Sequence, residues 1–387
     1  MKRICILTAT RAEYGLLKTI ILKLKNIPEF DVRVVVTGAH LSPEFGLTYQ
    51  EIEQDGIEID EKIEILLSAD TPAAISKSMG LAMMGFADYF KRLEPDMLVV
   101  LGDRYETLAV CCAAMNQKIP VAHLYGGETT EGAIDESIRH AITKLSYLHF
   151  TSTQEYRNRV IQLGEHPDRV FCVGAMGIEN IKKEKLLIKT DLEASLNFKM
   201  DKPYAVVTFH PVTLENHNSD IQLQELFNAC EQFEDMNFIF TKANADANGR
   251  VINRLIDAFA NEHVNVIAFD SLGMIRYLSA LKYSALVIGN SSSGLVEAPS
   301  FGIPTINIGD RQKGRLQADS VINCLPESLE IGKAIELALS EEFRNKAKNT
   351  TNPYGDGNTS DKIIGNLKEF LLNDKIDLKK KFYDWVK

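Results

Sequence analysis

Between positions 123 and 140 the chain reads HLYGGETTEGAIDESIRH, which sets four carboxylates (Glu128, Glu131, Asp135, Glu136), two histidines and Arg139 around a Gly-Gly pair. Carboxylates are costly to bury without a task, and several in one segment suit acid–base chemistry in which local surroundings push their pKa values apart. The second half of the segment has helical spacing over about 134 to 144, with Asp135 and Arg139 on one face at i, i+4. Acids in a first helical turn are also favoured by the helix dipole. That accounts for part of the cluster, but not for Glu128 and Glu131 in the preceding loop. Gly126 and Gly127 would let the backbone approach a ligand closely.

Four other loops carry chemistry. TATRAEYG (8 to 15) places Arg11 at a helix start, where a cation beside free N–H groups suits a phosphate; the alternative is an Arg paired with Glu13 on the surface. GDRYET (102 to 107) puts Asp103 and Arg104 at a strand-to-helix turn, where an Asp can equally be an N-cap. TFHPVT (208 to 213) leaves His210 where the chain departs from a strand, with Pro211 blocking further pairing. ALVIGNSSSGLVEAPSFGIP (285 to 304) reads as strand, Ser/Gly turn and helix. Ser291, Ser292 and Gly294 would offer hydroxyls and backbone N–H groups to a diphosphate, and Glu297 would accept from vicinal ribose hydroxyls; N-capping serines are the plainer alternative.

These loops must be held by something regular, and the rest of the chain supplies it. Short runs apolar on both faces alternate with helical patterns: ICILTA (4 to 9), VRVVVTG (32 to 38), DMLVVLG (96 to 102), PVAHLYG (120 to 126), YLHFTS (147 to 152) and RVFCVG (169 to 174). A second series follows: YAVVTFH (204 to 210), FIFTK (238 to 242), VNVIAF (264 to 269), ALVIGN (285 to 290), PTINIG (304 to 309) and SVINC (320 to 324). Parallel strands covered by helices on both sides have this appearance. The expected fold class is α/β, with two doubly wound Rossmann-like domains facing a cleft, and ligands at the carboxyl ends of the strands. The rhythm breaks in the charged stretch 179 to 203, which predicts a sugar-side domain over 1–180, a nucleotide-binding domain over 181–375 and a tail over 376–387.

At 387 residues and 45% hydrophobic content the chain can bury a large core. A net charge of -10 argues against a nucleic-acid surface, which needs clustered Lys and Arg. The six cysteines show no CxxC pair or metal-ligand spacing and read as reduced core residues, and no metal or other cofactor is expected. The apolar run at the N-terminus is too short for a signal peptide, and no stretch approaches the ~20 apolar residues of a membrane span, so the expected location is the cytoplasm. The stretch ISKSMGLAMMGFADYFKRL (75 to 93) has the composition of a core helix, with a subunit interface as the alternative. A homodimer or homotetramer is the expected assembly.

TATRAEYG, GDRYET, GGETTEGAIDESIRHAITK, TFHP and GNSSSGLVEAP, in this order and spacing, resemble the UDP-N-acetylglucosamine 2-epimerase family, and more closely its hydrolysing branch in sialic-acid-type sugar biosynthesis. The resemblance runs from Arg11 to about Gln317 and rests on five separate loops. It implies the GT-B fold and a UDP-sugar substrate. By the same resemblance Arg11, His210, Ser291, Ser292 and Gly294 hold the diphosphate and Glu297 the ribose, while Asp103 and the acids of the Gly-Gly loop face the sugar; Arg104 is expected among the residues that bind the UDP moiety. One departure stands out: some relatives carry a Glu two residues after the histidine of this loop, where this chain has Tyr125, and have one residue fewer before the Ile-Asp pair. Glu128 and Glu131 are the candidates to inherit that acid's role.

The implied reaction converts UDP-N-acetylglucosamine and water to N-acetylmannosamine and UDP. The C2 hydrogen has no adjacent carbonyl to acidify it, so departure of UDP must supply the activation. As C1–O breaks, a carboxylate removes the C2 proton to give 2-acetamidoglucal, and water then adds with protonation of the opposite face. Asp103 with one of Glu128, Glu131 or Asp135 would form the acid–base set, and Arg11, His210 and the serine loop would stabilise the leaving diphosphate. The same loops also fit hydrolysis of UDP-2,4-diacetamido-2,4,6-trideoxyglucose. A GT-B glycosyltransferase would share the fold and the diphosphate loop, but needs only one base and an acceptor groove.

Overall fold

A computed structural model describes residues 1–69, 71–130, 133–211, 219–243, 249–355 and 357–385. Glu131 therefore lies outside the described residues. Strands β1 (Lys2–Thr8), β2 (Phe30–Thr37), β3 (Glu61–Ile63), β4 (Met97–Leu101), β5 (Val121–Leu124), β6 (Leu148–Thr151) and β7 (Val170–Cys172) form one sheet in the order β3-β2-β1-β4-β5-β6-β7. Strands β8 (Tyr204–Thr208), β9 (Asn237–Thr241), β10 (Val266–Phe269), β11 (Leu286–Gly289), β12 (Thr305–Ile308) and β13 (Val321–Cys324) form a second, in the order β10-β9-β8-β11-β12-β13.

All pairings in both sheets are parallel. Six of the strands (β4, β5, β6, β8, β11 and β12) are buried along their whole length, which is why they carry apolar residues on both faces instead of alternating. The sequence pattern missed β3: its three residues, Glu-Lys-Ile, sit at the sheet edge, where charge guards an open edge and no apolar run is needed. In each sheet the strand order reverses at the first strand, between β1 and β4 and between β8 and β11. Ligands of doubly wound sheets bind at such switch points, beyond the carboxyl ends of the strands.

Contacts divide the chain into two compact units. The first comprises Met1–Glu128, Asp135–Asn180 and the chain from Tyr354 onward; the second comprises Thr129–Ile134 and Ile181–Pro353. This corrects the expected assignment of 181–375 to one domain. The helix Thr359–Leu372 buries Ile363, Ile364, Leu367 and Leu371 in the same core as Ile4, Leu17 and Val99 of the first unit. At ~1.5–3 kcal/mol per buried side chain that face contributes on the order of 6–12 kcal/mol. Lys23 adds hydrogen bonds to Ser360 (2.7 Å) and Asp361 (2.5 Å).

The helix Pro72–Leu93 buries Ala82, Phe86, Tyr89 and Phe90, and leaves Leu81, Met83 and Met84 exposed. Cys5, Cys111 and Cys230 are buried as expected of core thiols, whereas Cys172, at the end of edge strand β7, is exposed. Among the described residues no helix is long and apolar enough to cross a membrane.

Candidate active site

In the first unit the functional loops begin where β1, β4 and β5 end. Gly102 follows β4 in the left-handed region (φ +81), and Asp103 comes next. The N-cap of the following helix, Tyr105–Asn116, is Arg104, so Asp103 lies outside the cap position. The Asp103 carboxylate meets the guanidinium of Arg139, which is 1% exposed. Arg139 also donates to Glu136 (2.7 Å) and to the Glu128 carbonyl (2.9 Å). Glu136 reaches His140 Nε2 through its other oxygen, at 3.1 Å. A buried guanidinium is stable only with its donors paired. Here the partners, Asp103 and Glu136, each keep about a quarter of their side chain exposed (23% and 25%), while the cation between them is sealed off from solvent.

Glu128 is buried, and its carboxylate accepts from Ser152 at 2.9 Å. Asp135 opens the helix Asp135–Leu145 and is half-buried. The structure thus gathers Asp103, Glu136 and the Glu128 backbone around Arg139. Neither Glu136 nor Arg139 was among the expected site residues, although their i, i+3 spacing on a helix was a readable signal.

The Gly-Gly pair has a requirement for glycine within the fold itself. Gly127 (φ +80) packs against the chain itself: a Cβ there would lie 2.3 Å from the Tyr156 carbonyl. Arg159 donates to the Gly127 carbonyl at 2.6 Å. A Cβ at Gly126 would lie 3.1 Å from His123 Nδ1. Helix and strand of the chain itself approach these glycines. Tyr125, also left-handed at φ +68, accepts from the Met176 N–H at 2.7 Å, at the start of the helix Met176–Lys183.

Arg11 is the first residue of the helix Arg11–Lys25 and pairs with Glu51 at 2.7 Å, not with Glu13. Glu13 is buried because it closes a capping box: Thr10 Oγ1 accepts from the Glu13 N–H, and Glu13 accepts from Ala9 N (2.7 Å) and Thr10 N (3.3 Å). Burial, then the neighbouring Glu106 charge, push its pKa up to about 8 against the pull of Arg104. Arg104 donates to Glu106 at 2.7 Å, so this expected phosphate contact already balances a buried acid. His40 was missed in the sequence. It lies just beyond β2, fully buried between Thr8 (2.9 Å) and Thr48 (2.8 Å), and burial lowers its pKa to about 3.

In the second unit the switch point brings His210 and the serine turn together. Gly289, at the end of β11, has φ +133, and a Cβ there would lie 1.9 Å from the Thr208 carbonyl, so only glycine lets β11 approach β8 this closely. The next residue, Asn290, is fully buried and holds the His210 backbone. The Asn290 carbonyl accepts from Arg311 (3.1 Å) and Gln312 (2.8 Å) of the loop after β12, and brings a cation beside the serine turn. The sequence reading overlooked Arg311.

Ser291 and Ser292 are half-buried at the start of a single helical turn, Ser293–Val296. The N-cap, Ser292, makes no side-chain cap bond, which removes the plainer reading of that hydroxyl. Ser293 is occupied by the Tyr277 hydroxyl at 2.7 Å. The part expected of Gly294 changes: its N–H turns back onto the Ser291 carbonyl (3.3 Å), and a Cβ would lie 2.7 Å from Thr305 Cγ2. It is glycine so that the turn can cross β12. Glu297 ends the helical turn and is half-buried. Among the described residues no cluster of three or more His, Cys, Asp or Glu could hold a metal ion.

Two doubly wound parallel sheets, each with polar loops at its switch point, define a two-unit α/β protein of the GT-B fold. A crystal structure of a UDP-GlcNAc 2-epimerase from Neisseria meningitidis bound to UDP-GlcNAc matches this fold with a TM-score of 0.79, at 22% identity, over 95% of this chain and 100% of that one. The family model for UDP-N-acetylglucosamine 2-epimerase matches residues 22–368. A GDP/UDP-N,N'-diacetylbacillosamine 2-epimerase (hydrolyzing) from Campylobacter jejuni is 45% identical over 99% of both chains. A polysialic acid biosynthesis protein from Escherichia coli is 40% identical over 99% of this chain and 98% of its own. The chain belongs to the UDP-N-acetylglucosamine 2-epimerase family, in its hydrolysing branch.

Proposed function

We propose that this protein hydrolyses a UDP-2-acetamido sugar with inversion at C2, and that the sugar is 2,4-diacetamido-2,4,6-trideoxyglucose. The observation that carries the reaction type is the pair of part-exposed carboxylates, Asp103 and Glu136, on buried Arg139. Two carboxylates gathered on one cation are groups of the type that can take and give a proton at a sugar carbon.

In the first step the C1–O bond breaks, UDP leaves with the bonding electrons, and a carboxylate takes the C2 proton, forming the glucal. In the second, a carboxylate takes one proton from water as the water oxygen bonds to C1, and an acid delivers its proton to C2 on the opposite face, which consumes the C1–C2 double bond. Asp103 and one of Glu128, Glu131 or Asp135 act as the set, with Glu136 joining them through Arg139. Arg11, Arg104, His210, Ser291 and Ser292 stabilise the departing diphosphate, with Arg311 added. Glu297 binds the ribose.

The choice of sugar rests on the 45%-identical relative, whose name specifies N,N'-diacetylbacillosamine. A second reading is UDP-N-acetylglucosamine, the substrate that the sequence resemblance implies. Side-by-side assays with the two nucleotide sugars and no acceptor test both. Stoichiometric UDP and a free sugar inverted at C2 are expected, with a kcat/KM at least ~10-fold higher for the 4-acetamido-6-deoxy compound, about 1.4 kcal/mol of discrimination. A preference for UDP-N-acetylglucosamine would replace the substrate. An intact donor with both would overturn the activity.

A further inference from the structure

The Nε2 of His123, fully buried in β5, lies 2.7 Å from the carbonyl of Gly102, the residue before Asp103. A carbonyl only accepts, so Nε2 carries the hydrogen. Burial lowers the ring's pKa to about 3, which leaves it neutral and makes Nδ1 an acceptor. Nδ1 faces the Thr143 hydroxyl at 3.4 Å; the one hydrogen of that hydroxyl serves either Nδ1 or the Arg139 carbonyl at 3.0 Å, and Thr143 lies one turn beyond Arg139 on the helix Asp135–Leu145. The circuit closes through the side chains, because the Arg139 guanidinium grips Asp103.

We infer that His123 is a positioning residue for the Asp103–Arg139 pair, tying the turn that carries the acid to the helix that carries the cation. This rests on the reading of Asp103 as a catalytic acid or base. Gly102 has a left-handed backbone with its N–H on the Leu124 carbonyl (3.0 Å) and its own carbonyl on His123. Both of its polar groups are therefore held by β5, and the peptide leading into Asp103 has one orientation. Gly126 makes room for the device: a Cβ there would press on His123 Nδ1 at 3.1 Å and on Thr143 Oγ1 at 3.2 Å.

The test is steady-state kinetics of His123→Met, His123→Gln, Thr143→Val and Asp103→Asn, followed by UDP release from whichever of the two nucleotide sugars the parent protein turns over, with thermal melts alongside. His123→Met removes the donor at similar volume, and its kcat should fall about 100-fold with KM within about twofold. His123→Gln, whose amide can still donate to Gly102, should recover to within about 10-fold of the parent. Thr143→Val should lose about 3- to 10-fold in kcat and carries the comparison, with the Gln variant, if the Met protein does not fold. Equal kcat in the Met and Gln variants, a loss confined to KM, or an unchanged kcat in Thr143→Val would overturn the inference. Parental kcat in His123→Met beside an inactive Asp103→Asn would overturn it alone. An active Asp103→Asn would overturn it together with the role of Asp103.

Discussion

Asn290 holds His210 by both of its backbone groups: Oδ1 accepts from the His210 N–H at 2.7 Å, and Nδ2 donates to the His210 carbonyl at 2.8 Å. An amide side chain offers an acceptor and a donor side by side at any pH. It fixes the chain at the point where β8 ends and the candidate phosphate ligand begins. Asn290→Asp keeps the acceptor and turns the donor into a second acceptor facing a carbonyl. The buried mismatch should cost about 1–3 kcal/mol in urea unfolding and lower kcat/KM at least ~10-fold. Parental values for both would detach Asn290 from the site.

Glu13 gives a pH dependence with a defined sign. In the fold it keeps its proton to about 8, against an ordinary value of 4.5. Between those values the folded state binds a proton that the unfolded chain has released, so raising the pH lowers stability, by at most ~1.4 kcal/mol per pH unit for one proton. Glu13→Gln retains an acceptor for the Ala9 N–H and cannot ionise. It should flatten the fall in unfolding free energy between pH 5 and pH 8 and be the more stable protein at pH 9, by denaturant titration. A variant less stable than the parent at pH 9 would disprove the account.

Two glycines with nearly the same backbone should respond differently to alanine. Gly102 (φ +81) has nothing within 4 Å of an added Cβ, whereas at Gly127 (φ +80) the Tyr156 carbonyl is 2.3 Å away. Gly102→Ala should cost only the left-handed penalty, ~1–2 kcal/mol, and Gly127→Ala should exceed it by at least ~1 kcal/mol or fail to fold. Similar melting temperatures for the two variants would contradict the close approach of the helix Gln154–Gln162.

Arg311 stands beside Asn290, next to the serine turn. If it faces the diphosphate, Arg311→Ala should weaken inhibition by UDP and raise KM about 10-fold or more, equivalent to ~1.4 kcal/mol. A parental inhibition constant for UDP would exclude that role.

The strands were legible because buried parallel strands are apolar on both faces, and their carboxyl ends pointed to Asp103, His210 and Ser291 with no further information. β3 was not, since three edge residues leave no pattern. His40 passed unnoticed, and His123 was counted in the cluster but given no role, because a histidine inside an apolar run looks like any other core residue; only its hydrogen-bond partners distinguish it. The Gly-Gly pair was noticed, but the helix and strand packed against it were not foreseen, because a need for glycine does not say what comes close.

The sequence by itself determined the alternation of strand and helix, the loops in which polar residues collect and the family to which those loops belong. Such properties are local, set by periodicity and turn chemistry over a few residues. Only the tertiary structure decided the pairings: Arg139 with Asp103, 36 positions away, Arg11 with Glu51 instead of Glu13, and the last helix with the first unit. A charge can be satisfied by any opposite charge the fold brings within reach, and which one arrives depends on how distant segments close on each other as the core packs.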